Sequence, residues 1–279
     1  MIHIKGLTFG YGNGQEVLHG LDFDINKGEI FGFLGPSGAG KTTTQKLIIG
    51  LLNGYGGSIS VGGRERSAWG DDFYRMIGVA FEQPNLYLKL TGLENLNLMG
   101  SFYEKSVNPM PYLERVGLKD AADKRVETYS KGMRMRLNFV RAIQHRPKLL
   151  FLDEPTAGLD PVNAQHVKGI VRELKEEGCT IFLTTHNMTV ADQLCDQVAF
   201  MVGGKLAIID APSALKEAYG SHDVEVKVKG EEKHVFPLDD LGENQDFLSL
   251  IRSGKVEAIH SQDATLEDIF IRVTGSELS

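Results

Sequence analysis

The stretch from Glu29 to Thr44, EIFGFLGPSGAGKTTT, constrains the fold of this chain more than any other feature. Its first half is a short, nearly continuous apolar run, which is typical of a strand covered on both faces. A glycine-rich loop and a helix-forming sequence follow. Glycines let a loop turn tightly, so that backbone N–H groups point inward at an anion at the start of the helix. The stretch therefore predicts an α/β fold with a phosphate-binding loop.

This loop fits the pattern G-x-x-x-x-G-K-[ST], and its strand–loop–helix context matches the pattern as well. Lys41 is a compact cation that can reach the terminal phosphates of a nucleotide, and the Thr42 hydroxyl suits Mg²⁺. The sequence thus predicts a nucleotide-binding loop made of Gly35, Pro36, Ser37, Gly38, Ala39, Gly40, Lys41, Thr42 and Thr43.

Two acidic residues end a second apolar strand, LLFLDEP. We expect Asp153, at the strand tip, to hold Mg²⁺ directly or through water, and Glu154 to polarise an attacking water. Alternatively, the two residues are solvated acids at a strand end. A third apolar strand ends before His186, which would then lie on the same sheet edge as Lys41 and Asp153. A donor at that place could contact the γ-phosphate.

Composition excludes several classes of protein. The formal net charge of the 279-residue chain is −7, which argues against nucleic-acid binding through bulk electrostatics. The N-terminal residues lack the pattern of a signal peptide, and no stretch is apolar enough to span a membrane. We expect Cys179 and Cys195 to be buried thiols without a disulfide, as in a reducing cytoplasm.

The pattern of apolar residues divides the chain into a core, an insertion and an appendage. Strand and helix patterns alternate from residue 1 to residue 219, except over about 85–128, where helix-spaced apolar residues predict a helical insertion. From residue 220 to 279 the composition changes, and clean alternation at Val224, Val226 and Val228 predicts a small α+β appendage.

Taken together, these motifs resemble the ATP-binding subunits of ABC transporters. The family signature, commonly LSGGQ, is present as YSKGM, in which Ser130 and Gly132 match and the other three residues depart. AGLD with Asp160 and THNM with His186 also match, and Tyr11 stands where the family stacks adenine. The resemblance covers about residues 1–215 and implies a P-loop ATPase that binds ATP and Mg²⁺, with Lys41, Glu154 and His186 as its catalytic residues.

The sequence departs from the family at one position near the metal. The family has glutamine after the strand IGVAF, in contact with Mg²⁺ and the attacking water, whereas this chain has Glu82 there and Gln83 one residue later. Either residue could serve in nucleotide and metal binding. A carboxylate at this position would tighten the dependence on Mg²⁺.

The resemblance also implies partners and a place in the cell. Two subunits, identical or similar, would pair head to tail, with ATP between the loop of one and Ser130 and Gly132 of the other. Integral membrane permease subunits would dock on the insertion, unless that insertion is a solvated helical cap. The chain would be cytoplasmic and peripheral on the inner face of the cell membrane. Short stretches such as TLEDIFIRVTG are similar to the daunorubicin-resistance branch of exporters.

Two other functions are compatible with single features of the chain. Soluble ABC ATPases act on ribosomes or DNA, but they usually carry two cassettes or a long coiled coil, and this chain has neither in its sequence. A binding-only cassette would have lost catalysis, and the presence of Lys41, Asp153, Glu154 and His186 argues against it. The sequence therefore favours the ATPase subunit of a membrane exporter that contacts no nucleic acid.

Overall fold

A computed structural model describes residues 1–12, 14–103, 107–220, 222–229 and 233–276. Its internal contacts divide the chain into two units, Met1–Ile209 and Asp210–Glu277. The helix Pro212–Tyr219 falls in the second unit because it packs against the last helix of the chain. The boundary therefore lies before this helix, whereas the change in composition predicts it after residue 219.

The first unit combines two sheets with helices around them. Its strands are β1 (Ile2–Tyr11), β2 (Gln15–Ile25), β3 (Ile30–Leu34), β4 (Gly56–Val61), β5 (Arg64–Glu65), β6 (Ile77–Ala80), β7 (Leu149–Asp153), β8 (Thr180–Thr185), β9 (Gln197–Val202) and β10 (Lys205–Asp210). Its helices are α1 (Lys41–Ile49), α2 (Asp71–Met76), α3 (Gly92–Gly100), α4 (Met110–Arg115), α5 (Lys131–Ile143), α6 (Pro161–Glu176) and α7 (Met188–Leu194).

The larger sheet has the strand order β10-β9-β3-β8-β7-β6, and the pairs from β9 to β6 are parallel. Every residue of β3, β7 and β8 is buried. This agrees with the continuous apolar runs, because helices cover both faces of a parallel sheet. Since the three strands run in the same direction, Leu34, Asp153 and Thr185 end at one edge of the sheet, and the site is built there.

The smaller sheet is antiparallel, in the order β2-β1-β4-β5. β1 lies between β2 and β4, so it is an interior strand of this sheet. Buried and exposed side chains alternate at its start, where Ile2 and Ile4 are buried. One apolar core joins this sheet to the larger one. Within this core the centroid of the Phe33 ring lies 5.0 Å from the centroid of the Phe23 ring and 5.1 Å from that of Phe182.

The segment between β6 and α5 is helical, where the sequence predicts the insertion. The part of it that the structure describes contains α3, α4 and two short 3-10 turns, Lys119–Ala121 and Val126–Thr128. Thr91 begins α3 with a capping box, in which its side chain accepts from the backbone N–H of Glu94 while the Glu94 carboxylate accepts from the N–H of Thr91. Such caps satisfy backbone donors at the start of a helix and stabilise it locally.

The second unit is α+β. It contains α8 (Pro212–Tyr219), β11 (His222–Val228), β12 (His234–Pro237), α9 (Gln245–Arg252), β13 (Val256–Asp263) and α10 (Leu266–Thr274). The sheet order is β12-β11-β13. Val224, Val226 and Val228 are buried together with Phe236, as the alternation predicts, and Phe247 of α9 packs against them.

Both cysteines are buried and neither forms a disulfide. Burial raises the pKa of the Cys179 thiol to about 12 and also raises that of Cys195, so both stay as uncharged thiols. None of the helices in the described residues has the length and the apolar composition that crossing a membrane requires.

Candidate functional site

The phosphate loop connects β3 to α1, as predicted. At its first position, Gly35, any side chain would clash, because a Cβ there would lie 2.1 Å from the backbone oxygen of Met201. Gly40 has a φ of 109°, which side chains rarely adopt, and a Cβ there would also press on Met201 and Leu18. The loop therefore depends on both glycines of the motif for its shape.

Lys41 begins α1 and folds back over the loop. Its Nζ donates to the backbone oxygen of Gly35 at 2.6 Å and to that of Pro36 at 2.9 Å. Burial lowers the pKa of this ammonium, while the charges of Glu154 and Asp153 raise it. A cation placed this way can turn a donor toward a phosphate held by the loop.

Asp153 and Thr42, the two predicted oxygen ligands of Mg²⁺, lie next to each other in the site. The Thr42 Oγ1 donates to Asp153 Oδ2 at 3.4 Å, and Asp153 is only 7% exposed. Burial raises the pKa of Asp153, against the hydrogen bond from Thr184 that lowers it. Among the described residues there is no group of three or more metal-ligating side chains. A hydroxyl and one carboxylate suit Mg²⁺, which binds proteins through few ligands and takes the rest from substrate phosphates and water.

Glu154 and His186 are in direct contact. Glu154 has a φ of 49°, a left-handed backbone conformation that residues other than glycine rarely adopt. Its Oε1 lies 2.6 Å from His186 Nδ1 and accepts from the His186 backbone N–H at 2.8 Å, while its Oε2 accepts from Thr185 Oγ1 at 2.8 Å. The carboxylate is thus fixed by three contacts, and the Nε2 of His186 can face a phosphate.

A cavity of about 420 Å³ brings most of the predicted residues together. It is lined by Val17, Ser37, Gly38, Gly40, Lys41, Thr42, Thr43, Glu82, Asp153, Glu154 and His186. Tyr11 is 43% exposed and does not line the cavity, but its hydroxyl contacts Thr43 Oγ1 at 3.2 Å. Gly35, Pro36 and Ala39 belong to the loop without lining the cavity.

Glu82 and Gln83 differ in their position relative to the cavity. Glu82 lines the cavity, and its charge contributes to raising the pKa of Asp153. Gln83 is exposed and is not among the lining residues. Of the two alternatives, the carboxylate therefore stands nearer to the predicted metal ligands.

Ser130, Gly132 and Asp160 do not line the cavity of their own chain. Ser130 caps α5 by accepting from the N–H of Met133, and Asp160 caps α6 by accepting from the N–H of Asn163. The hydrogen bonds from Asn163 lower the pKa of Asp160. Ser130 and Asp160 thus each cap a helix, and neither lines the cavity that contains Lys41 of the same chain.

Sequence reasoning missed four side chains of this region. Thr184 and Thr185 end β8 and contact Asp153 and Glu154, Gln45 lies behind them, and Val17 lines the cavity. The only signal was the position of the two threonines, directly before His186 at the end of a buried strand.

Comparison with known proteins gives the same family along the whole chain. The family model described as ABC transporter matches residues 18–157, and the one described as fluoroquinolone efflux ABC transporter C-terminal domain matches residues 224–263. A fluoroquinolones export ATP-binding protein of Mycobacterium tuberculosis is 50% identical over 100% of this chain and 95% of its own length. The daunorubicin/doxorubicin resistance ATP-binding protein of Streptomyces peucetius is 38% identical over 81% of this chain and 70% of its own length.

Solved structures agree with the sequence comparison. An ATP-binding subunit of an ABC transporter superposes with a TM-score of 0.73 and 30% identity, covering 78% of this chain and 93% of that one. A dimeric bacterial ABC transporter cassette has a TM-score of 0.70 and 25% identity, covering 76% of this chain and 98% of that one. With its phosphate loop, acid pair and histidine gathered at one sheet edge, this chain belongs to the ATP-binding subunits of ABC transporters, and the match to the family model lies within its first unit.

Proposed function

We propose that this chain powers an exporter of fluoroquinolone-type antibiotics, together with separate membrane subunits. The observation that carries the proposal is the 50% identity to a fluoroquinolones export ATP-binding protein over the whole chain. The second unit supports it, since residues 224–263 match a C-terminal domain described for fluoroquinolone efflux transporters. No feature of the described residues favours the alternative of a soluble ABC ATPase on ribosomes or DNA.

In the proposed reaction the residues of the cavity bind ATP and activate water. The loop N–H groups and Lys41 hold the phosphates, and Tyr11 stacks on the adenine. Glu154, fixed by Thr185 and His186, accepts the proton of the attacking water. In this role both ring nitrogens of His186 carry hydrogen, so that Nδ1 donates to Glu154 and Nε2 donates to the γ-phosphate. Thr42 and Asp153 would hold Mg²⁺, with Glu82 beside them, and the ion would neutralise phosphate charge.

The active site is completed by a second subunit in this proposal. Ser130 and Gly132 lie outside the cavity of their own chain, so they are available to the γ-phosphate of a partner. The dimeric cassette with a TM-score of 0.70 shows that this fold pairs in at least one relative. Contacts across ATP exist only while the triphosphate is intact, and hydrolysis would therefore let the dimer open.

The membrane subunits would dock in a groove beside the helical insertion. This cavity, of about 290 Å³, is lined by Ile49, Leu51, Tyr74, Ile77, Val79, Phe81, Met99, Tyr103, Arg141, Ala142 and His145. Leu51 is 54% exposed and Tyr74 is 44% exposed, so the rim offers apolar surface to a short permease helix. Arg141 donates to the backbone oxygen of Asn85, close in sequence to Glu82, which links the groove to the nucleotide cavity. Docking there would hold the chain on the inner face of the membrane.

The proposed function predicts drug export that depends on this groove. Cells that express the chain with the membrane proteins encoded beside it are expected to accumulate less norfloxacin, measured by its fluorescence. The variant Leu51→Asp places a charge in the apolar rim and is expected to lose both export and co-purification with the membrane proteins. The matched control Leu238→Asp, at an exposed leucine of the second unit, should keep both. Unchanged norfloxacin accumulation with a fully assembled transporter would contradict the substrate class.

The position of Glu82 gives a second prediction. Glu82→Gln keeps oxygen ligation and is expected to retain phosphate release, whereas Glu82→Ala should raise the Mg²⁺ requirement or lower turnover about 10-fold or more. The measurement is a phosphate-release assay across a Mg²⁺ series. Gln83→Ala serves as the neighbouring control, and activity lost in that variant but kept in Glu82→Ala would assign the role to Gln83 instead.

A further inference from the structure

A polar cluster lies buried directly behind the two proposed metal ligands. Thr184 Oγ1 is 2.5 Å from Asp153 Oδ1, 3.4 Å from the Leu152 backbone oxygen and 3.5 Å from Gln45 Oε1. Thr184 and Gln45 are both fully buried. Buried polar groups cost free energy unless they are hydrogen-bonded, so this arrangement needs a reason.

The hydroxyl of Thr184 has one proton, and the short contact with the Asp153 carboxylate takes it. The oxygen of Thr184 is then left as an acceptor toward Gln45. Within the described residues the Gln45 Nε2 is buried and has no hydrogen-bond partner. Because a half-turn of an amide exchanges its oxygen and nitrogen, Gln45 can donate to Thr184. The result is a directed chain from Gln45 through Thr184 to Asp153.

This chain connects the elements that carry the metal ligands. Gln45 follows Thr42 by three residues on α1, so the two share a helix face. Thr184 pairs with Asp153 in the register of β7 and β8. With Oδ1 of Asp153 held by Thr184, its Oδ2 faces Thr42.

We propose that Thr184 and Gln45 are positioning residues that orient Asp153 toward the divalent cation of Mg·ATP. The inference rests on the proposed Mg²⁺ site. Outer partners of this kind fix the direction in which a carboxylate offers its free oxygen, and losing one costs metal affinity even when the ligand itself is unchanged.

The same strand provides a matched control. Thr180, at the opposite end of β8, is also fully buried, and its Oγ1 accepts from the backbone N–H of Gly28 at 2.9 Å. Thr180→Val and Thr184→Val therefore remove one buried hydroxyl each from one strand. Only Thr184→Val removes the hydroxyl that donates to Asp153.

The test is Mn²⁺ binding to the full chain with a non-hydrolysable ATP analogue, measured by electron paramagnetic resonance, together with the KM for Mg²⁺ in the hydrolysis assay. Thr184→Val is expected to raise the Kd for Mn²⁺ and the KM for Mg²⁺ about 10–100-fold, whereas Thr184→Ser restores wild-type values. Thr180→Val should keep the metal constants of the wild type. Equal Mn²⁺ affinity in Thr184→Val and Thr180→Val would overturn the proposal.

If Thr184→Val does not fold, Gln45→Met decides the question. A raised Kd for Mn²⁺ in that variant supports the positioning role, and a wild-type Kd overturns it. Failure of the proposed function has a different result: the wild-type chain itself would then show no Mn²⁺ binding that depends on the nucleotide.

Discussion

Replacing Glu154 with glutamine is expected to lower ATP hydrolysis at least about 100-fold and to trap an ATP-bound dimer. Glutamine keeps the size of the side chain. Its single oxygen can still accept from the backbone N–H of His186, and its amide NH2 can donate to the Thr185 hydroxyl, the two groups that now contact the carboxylate. It cannot take a proton from water, and a positioned base contributes roughly 10²–10⁴-fold to such a step. ATP would then stay intact between two subunits.

The measurements are phosphate release and light scattering after size exclusion, with and without ATP. Glu176→Gln is the matched control, since this exposed residue at the end of α6 does not line the nucleotide cavity. It is expected to turn over ATP like the wild type and to accumulate no dimer. Normal hydrolysis in Glu154→Gln would show that another group activates the water.

Replacing Lys41 with alanine is expected to weaken ATP binding about 10–100-fold and to remove hydrolysis. A hydrogen bond to a charged group contributes about 1.5–3 kcal/mol, and each 1.4 kcal/mol is about tenfold in affinity. Lys41 is buried, and its Nζ is held by two backbone oxygens of the loop. It is therefore already placed where the phosphates would bind.

The measurement for this variant is the Kd of ATP by calorimetry, followed by phosphate release. Lys27→Ala, which removes an exposed lysine in the turn between β2 and β3, controls for the change in net charge. The backbone groups of the loop remain in Lys41→Ala, so a change in ATP affinity reports on the lysine alone. Wild-type affinity in this variant would contradict the phosphate-loop assignment.

Much of the site could be predicted because it is local in sequence. The glycines, Lys41 and Thr42 lie within one loop and the start of one helix, so their spacing alone fixes their relation. Asp153, Glu154 and His186 end apolar strands, and parallel strands bring such ends to one edge. In the structure the acid pair, the histidine and residues of the loop line one cavity.

The contacts between these strands could not be predicted. Thr184 and Thr185 each hold one acid of the pair, 31 residues away in sequence, and this follows from the register of β8 against β7. A slip of one residue would exchange the faces on which the two hydroxyls lie and would separate each from its acid. Likewise, the sequence left open whether Glu82 or Gln83 lies at the site, and the chain path between β6 and α3 put Glu82 on the cavity.

By itself, the sequence determined which chemical groups this protein has and which secondary structure carries each one, because glycine turns, helix caps and apolar runs act over a few residues. Only the tertiary structure decided which oxygen of Asp153 accepts from Thr184, and which groups hold the carboxylate of Glu154. These are distances between groups far apart in the chain, and the packing of the sheet and its helices sets them.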